Sequence, residues 1–417
     1  MQQRLLNILR DEGVVSADRL LRELGVSRAT LSRLIRKAPI EVVRLGRTRA
    51  IQYGLARALP GLRFRIPVYR IDEAGELAPV GTLMALHQHW TVLEPGPELF
   101  EGLPPEVADM APQGFIGRAF PGSHADLDLP HRIQDWSDDH VLLAVARRGE
   151  DLPGNLIVGS ESAERWRDQE IRPTDRSQYP ELARRALAGQ QAGSSAGGEQ
   201  PKFTAFVDGR HCIVKFAVAG DSPAELRWRD LLWCEAIALE VLGNAGVTTA
   251  AASIYVVGGN SFLEVERFDR IGERGRRAVL TLAGVDDPRH GLRDSWSEAA
   301  QRSVKDRLIS PADGRRIRLL EAFARLIANT DRHFYNLSFF VNDTFVLAPV
   351  YDQLPMLFAP VSGQIVEREF KIPIPDELGI DVWDEAARIA QIFWERVSGN
   401  QRISHDFRQI AQSLGKK

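Results

Sequence analysis

The sequence predicts an α+β protein in which a small basic helical module precedes a larger body of strand-rich and then helix-rich stretches. Three observations carry this. Residues 1–37 space their apolar side chains at helical intervals, with Leu5, Ile8 and Leu9, then Leu20, Leu21 and Leu24, then Leu31, Leu34 and Ile35. Residues 202–216 and 337–348 instead alternate in strand fashion around turn residues. Near the end, DVWDEAARIAQIFWERV returns to helical periodicity, and its Trp residues read as core.

Composition sets the frame for these elements. With 417 residues there is length for two or three compact units. Hydrophobic residues at 44% and charged residues at 26% match an ordinary soluble chain, which argues against a disordered or fibrous one. The opening MQQRLLNILRDEG carries Arg4, Arg10 and Asp11 where a signal peptide needs an apolar run, and no membrane-length apolar stretch occurs. A cytoplasmic protein without membrane contact is therefore expected. Cys212 and Cys234 are too few for a disulfide framework and lie in apolar surroundings, so both read as core thiols.

The net charge of −3 conceals an asymmetry, because residues 1–57 hold 12 Lys/Arg against 5 Asp/Glu, a local balance of 12 − 5 = +7. A basic module with a polyanionic partner, joined to an acidic body, follows from that division. Within the module, Leu24-Gly25-Val26-Ser27 supplies a glycine for a left-handed turn and a serine to cap the next helix. That helix, SRATLSRLIRKA, buries Leu31 and Leu34 while Arg28, Thr30, Arg33 and Arg36 point outward. EVVRLGRTRAIQYGL then reads as two short strands around Gly46, with Arg44, Arg47 and Arg49 available to phosphates. The segment resembles winged helix-turn-helix regulators, which implies DNA as a partner through residues 1–57 and a homodimer on that DNA.

In the body, the stretch RLIANTDRHFYNLSFFVNDTFVLAPVYDQLP at 325–355 concentrates chemistry. Asp331 and Asn336 share one short loop, an arrangement that sets a carboxylate beside a hydroxyl nucleophile and an amide oxygen toward Mg2+. A hairpin turning at Asn342-Asp343 then brings the chain back to deliver Asp352 as a second metal ligand. Upstream, GSSAGGEQPKFTAFVDGRHCIVKF places Gly193, Gly197 and Gly198 before two strands, where small residues let backbone N–H groups approach phosphates. Lys215 projects from the second strand, and Glu235 on the helix that follows can pair with it.

The order of these parts resembles the HipA family of serine/threonine kinases, in the YjjJ-like variant with a fused N-terminal helix-turn-helix domain. Asn329-x-Asp331-x-His333-x-x-Asn336 is similar to that family's catalytic segment, and Ser194-Ser195-Ala196-Gly197-Gly198-Glu199-Gln200-Pro201-Lys202 to its Gly-rich loop. The resemblance implies a bilobal, protein-kinase-like fold, ATP and Mg2+ as cofactors, and transfer of the γ-phosphoryl group to a protein substrate. Among family substrates are aminoacyl-tRNA synthetases. Asp331 would be the base, Asn329 and His333 its loop supports, and Asn336 and Asp352 the metal ligands. ATP would meet Ser194, Ser195, Ala196, Gly197, Gly198, Lys215 and Glu235, with backbone groups of Glu266 and Phe268 in VERFDR receiving adenine. Ser194 or Ser195 occupies the family's autophosphorylation position. Relatives have Lys before the loop Asn, where this chain has Tyr335.

The chain thus divides into four units: 1–57 for DNA, 58–155 as the family's extra N-terminal subdomain, 156–270 as the kinase N-lobe and 271–417 as the helical C-lobe. Family toxins are paired with a separate antitoxin; here the fused module is expected to supply operator binding itself. Two other readings share these residues: a transcription regulator whose kinase-like body senses a nucleotide, and a small-molecule phosphotransferase.

Overall fold

The structure is a computed structural model that describes residues 1–46, 50–188 and 200–415. Its first module is a helix Gln2–Glu12, then Ala17–Leu24 and Arg28–Arg36. Ser16 and Ser27 cap the second and third helices by accepting from Arg19 N and Thr30 N, and Gly25 at φ 63° turns the chain between them. Leu5, Leu9, Leu20, Leu24, Leu31 and Leu55 form the core beneath. Strands Val42–Leu45 and Gln52–Leu55 pair antiparallel, and a third strand, Val14–Ser16, pairs with the latter from its other side. Three residues between two helices are too short for a period, so that strand left no trace in the sequence pattern.

This module is fastened to the adjoining sheet unit rather than hung on a tether. Val43, Leu45 and Ala56 share an apolar cluster with Met84, Leu86 and Val92. Arg57 N donates to Ala85 O at 2.8 Å, His87 N to Leu55 O at 3.1 Å, and Arg57 grips Asp139 with both guanidinium nitrogens at 2.5 and 2.7 Å. Backbone and side-chain bonds together fix the relative orientation.

Next comes a five-stranded antiparallel sheet in the order Glu98–Glu101, Trp90–Glu94, Leu77–Ala85, Ile66–Ile71, Leu156–Val158. Its last strand corrects the expected boundary at 155. Val158, Ile157 and Leu156 pair with Val68, Tyr69 and Arg70, and helix Ser160–Asp168 packs beside them, so this unit runs on past residue 155.

A four-stranded antiparallel sheet follows, ordered Ala252–Val257, Asn260–Glu266, Arg210–Ala217, Lys202–Val207. Strand alternation gives it two faces. Phe203, Val214, Phe216 and Phe262 pack around Tyr179 of helix Tyr179–Ala188, while Ala217, Leu263 and Val265 meet Leu232 of the helix Pro223–Asn244. That long helix begins with a capping box, Ser222 and Glu225 bonding reciprocally.

The helical part contains Trp296–Lys305, Pro311–Leu326, Trp383–Gly399 and His405–Leu414, packed around the fully buried Trp296, Phe323, Phe393 and Phe407. A hairpin of Ser338–Val341 and Phe345–Leu347 adds to strand Val279–Thr281. Where the two parts meet, Ala250 N donates to Val350 O at 2.9 Å and Val350 N to Thr248 O at 3.0 Å. Those bonds set Asp352, two residues on, against the sheet. Cys212 and Cys234 are buried free thiols. Among the described residues no helix is long and apolar enough to cross a membrane.

Candidate active site

Lys215 sits on the sheet face that looks onto the Pro223–Asn244 helix, so a strand residue and a helix residue meet without local irregularity. Its Nζ donates to Glu235 Oε1 at 2.7 Å and Oε2 at 2.8 Å, and also to Asp352 Oδ1. An ammonium has three donors, and here all three end on carboxylate oxygens. Lys215 and Glu235 are buried, whereas the Asp352 side chain keeps 22% of its surface. Burial lowers the Lys215 pKa, yet Asp352 and Glu235 outweigh it and hold the ammonium charged. Burial likewise pushes Asp352 up, but the lysine beside it prevails and leaves its carboxyl below the usual range. For Glu235, burial wins over Lys215 and the carboxyl is raised.

The second part of the site grows from the end of helix Pro311–Leu326. Ala328 takes φ 60°, and Asn329 N returns to Ala324 O at 2.8 Å, which turns the chain sharply away from the helix axis. Asn329 is fully buried. Its Oδ1 accepts from Asp331 N at 2.9 Å and its Nδ2 donates to Asp352 O at 3.5 Å, so one amide ties the two acidic segments together. Asn336 Nδ2 donates to Asp331 O at 2.8 Å, which leaves Oδ1 as the acceptor end of that amide. His333 Nε2 stands 3.7 Å from Asp331 Oδ1, both side chains being roughly half exposed. Asp352 adopts φ 57°, a left-handed backbone that an aspartate tolerates better than most residues.

Residues that the sequence did not single out complete the frame. Tyr351 OH donates to Tyr335 O at 2.7 Å and lies 2.8 Å from Ser338 Oγ, fixing the chain just before Asp352 to the loop carrying Asn336. Arg293 stacks over the Tyr335 ring at 4.9 Å and donates to its hydroxyl at 3.1 Å. No periodicity announces contacts of this kind, since their partners lie 13 to 42 positions away.

The structure therefore brings Lys215, Glu235 and Asp352 into direct contact and links the loop of Asp331 and Asn336 to them through the Asn329 amide, 3.5 Å from the Asp352 carbonyl. In VERFDR, where backbone groups of Glu266 and Phe268 are expected to meet adenine, one such group is engaged within the sheet. The Glu266 amide already donates to Ala251 O at 2.8 Å, so that N–H is not free for an adenine. Phe268 packs against Phe340 and Tyr351, with ring centroids at 5.9 and 5.7 Å. Ser194, Ser195, Ala196, Gly197 and Gly198 lie outside the described residues, as do Arg47 and Arg49. In the first module Arg28, Arg33, Arg36 and Arg44 are all exposed. Thr30 is half-buried, its hydroxyl 3.2 Å from Ser27 Oγ and accepting from Arg33 Nη2 at 3.2 Å, so local bonds already use it.

Asp352 and Asn336 supply a carboxylate and an amide oxygen, ligand types that Mg2+ accepts beside phosphates. Two lobes meeting at a buried Lys–Glu pair, with an acidic loop below, define a HipA-like architecture. HipA of Shewanella oneidensis MR-1, solved with HipB and operator DNA, superposes at TM-score 0.55 over 84% of this chain and 95% of its own, at 16% identity, which shows a common fold. The proinflammatory kinase CtkA of Helicobacter pylori reaches TM-score 0.38 over 53% of this chain and 87% of its own, with 10% identity, too low to establish one. Residues 194–414 match the HipA-like C-terminal domain, and 62–167 match the middle domain of YjjJ-like toxins. Toxin YjjJ of Escherichia coli (strain K12) is 36% identical over 97% of this chain and 95% of its own length. The chain belongs to the HipA-like toxin family, in its YjjJ-like branch.

Proposed function

We propose that this chain is an ATP- and Mg2+-dependent serine/threonine protein kinase that carries its own DNA-binding module. The observation that carries the reading is Asn329, whose buried amide ties the Asp331 backbone to the Asp352 carbonyl while Asp352 meets Lys215. A site that holds a candidate base, a candidate metal ligand and a candidate phosphate-binding lysine on one network is built for positioning, which is most of what phosphoryl transfer asks of a protein. Asp331 accepts the proton of a substrate hydroxyl as its oxygen attacks the γ-phosphorus. The bond from that phosphorus to the β–γ bridging oxygen breaks and ADP leaves. Asn336 and Asp352 are the residues that would hold Mg2+, whose charge offsets that of the phosphates. Lys215 orients the phosphates, and Glu235 orients Lys215.

The surface arginines Arg28, Arg33, Arg36 and Arg44 on the capped third helix and the adjoining strand support a winged helix-turn-helix reading of residues 1–57, with DNA as its partner. HipA from Shewanella forms a complex with HipB and operator DNA. In this chain the fused module takes the operator-binding role, as a homodimer on its site. The protein substrate is of the kind that family toxins phosphorylate, and a separate antitoxin is not required for DNA contact.

Incubation with γ-labelled ATP and Mg2+, wild type beside Asp331→Ala, tests the catalytic half. Label in the chain or in an added protein with wild type alone is the expected result. Nucleotide binding without any label transfer would favour a nucleotide sensor instead, and label on a small molecule would favour a small-molecule phosphotransferase.

A further inference from the structure

The turn after strand Asn260–Glu266 carries more positive charge than the carboxylates around it answer. Arg267, Arg270, Arg274, Arg276 and Arg277 all stand within it. Arg267 and Arg270 are matched by Asp269 and Asp151, and Arg277 Nε donates to Glu73 Oε1 at 2.9 Å. Arg274 and Arg276 bond main-chain carbonyls alone, the first at Trp166 and Gln169 and the second, through Nη2, at Glu150. Arg276 is only 4% exposed, and among the described residues its buried Nη1 has no hydrogen-bond partner. Burial, with Arg270 and Arg267 close by, holds its pKa well below the usual guanidinium value although Asp151 and Asp269 oppose them. A buried cation with an unmet donor is destabilising, and an anion beside it relieves that.

Arg276 lines a cavity of about 480 Å3 whose walls come from the five-stranded sheet, the turn and the strand Ser338–Val341. Arg70 reaches it from strand Ile66–Ile71; this side chain is exposed and has no ion pair among the described residues. Arg277 spreads over the Phe340 ring at 5.6 Å. The carboxylates on the same walls are already engaged, Glu73 by Arg277 and Asp72 Oδ1 by the Ala74 and Glu76 amides at 2.9 and 2.8 Å. Arg70, Arg276 and Arg277 against Asp72 and Glu73 leave 3 − 2 = +1 at the cavity. Asn155 and Asn342 add amides, and Phe340 adds an aromatic ring. Cations arriving from a strand and from a turn suit an anion whose oxygens point in several directions, as the three terminal oxygens of a phosphate do; a planar carboxylate is satisfied by a single guanidinium fork.

We propose that this cavity binds a small organic phosphate, with Arg70 and Arg276 on the phosphate oxygens and Asn155, Asn342 and the Phe340 ring toward the rest of the ligand. None of these residues is among those assigned to nucleotide, metal or proton transfer, so the site stands independently of the kinase reading. Arg70 belongs to the 62–167 unit and Arg276 to the turn beyond it. A bound phosphate therefore adds bonds across that joint and stabilises the folded chain.

Calorimetric titration of the full chain with inorganic phosphate and with phenyl phosphate, at constant ionic strength and with acetate as control, tests this. Wild type is expected to bind phenyl phosphate at least as tightly as inorganic phosphate, and acetate about tenfold more weakly. Arg70→Met replaces an exposed side chain without ion pairs, so it should leave the melting temperature unchanged while weakening both phosphates by about tenfold. Arg70→Lys, which keeps the charge, should lose less. Arg276→Met is expected to abolish phosphate binding; should that variant fail to fold, Arg70→Met decides alone. Equal phosphate binding by wild type and Arg70→Met, as an ion held in the ATP cleft would give, overturns the site. Acetate bound as tightly as phosphate, or no phosphate binding by wild type, overturns it as well and leaves water to meet Arg276.

Discussion

Two clusters of buried charge flank the sheet that ends at Glu266, and they are built differently. In the cleft, Lys215, Glu235 and Asp352 hold one another through side chains alone. At the 267–276 turn, Arg267 meets Asp269 through two bonds at 3.1 Å and Asp151 at 2.8 Å, while Arg270 meets the same two aspartates. That second cluster is also tied to the backbone, because Arg270 Nη2 donates to Leu152 O at 2.8 Å, Gly154 N donates to Asp269 Oδ2 at 3.1 Å, and Arg276 reaches Glu150 O. Planar guanidinium forks bonded to main-chain oxygens weld the 62–167 unit to the turn; a lysine bonded only to carboxylates can exchange partners when a ligand comes. Similar ingredients thus give a joint in one place and the candidate site in the other.

The sharpest way to break this contrast is Asp269→Ala. It leaves Arg267 and Arg270 buried with Asp151 as their remaining carboxylate, and breaking such a cluster costs roughly 3–5 kcal/mol. Urea denaturation at pH 7 reads it. Asp352→Asn is expected to cost less, about 1–3 kcal/mol, since Lys215 keeps both Glu235 oxygens, but to abolish phosphoryl transfer. If Asp352→Asn proved as destabilising as Asp269→Ala, the cleft would be a structural joint as well.

Acid titration sharpens the same point. Burial raises the Asp352 carboxyl, but Lys215 and Lys202 overcome that and depress it below its unfolded value. A depressed carboxylate contributes stability that is fully present above its unfolded pKa, about 4, and is lost as pH falls through the folded value. The deficit of Asp352→Asn relative to wild type should therefore be largest near neutrality and shrink steadily below about pH 4. A deficit independent of pH would mean that packing, rather than charge, is lost.

How much of this could be read in advance differs between the clusters. Lys215, Glu235, Asp331, Asn336 and Asp352 stand in an order that phosphoryl-transfer chemistry makes recognisable, and the hairpin around Asn342-Asp343 follows from strand alternation. The weld at 267–276 was not legible, because Asp151 lies 116 positions from Arg267 and neither residue has a spacing that distinguishes it from surface charge. VERFDR reads as a connection between lobes; its arginines and aspartate give no hint of burial. Gln200 and Lys202 lie within a recognisable loop segment, yet only the strand register sets Lys202 against Lys215. The strand Val14–Ser16 and the continuation of the middle unit through Leu156–Val158 escaped for a common reason: pairing partners distant in sequence define them, not any local pattern.

The smallest expected effect lies in the first module, where cations are arranged in yet another way. Arg36 is exposed and has no ion pair among the described residues, Arg33 bonds only to the Thr30 hydroxyl, and Arg28 meets Asp18 at 3.4 Å with both side chains open to solvent. Exposed pairs of that type contribute little to stability, so replacing these arginines should leave the fold unchanged. Their consequence is instead for a polyanion. Each arginine that neutralises a DNA phosphate releases counterions, and the slope of log affinity against log salt then falls by about 0.9 per contact removed. Arg33→Ala and Arg36→Ala, measured by anisotropy on DNA from upstream of the gene across a salt series, should each flatten the slope by about that amount. Unchanged slopes would place the phosphate contacts elsewhere and leave the surface arginines as ordinary solvated charge. Because backbone bonds from Arg57 and His87 fasten the module to the 62–167 unit, a DNA duplex bound there would hold that unit in a fixed orientation beside it.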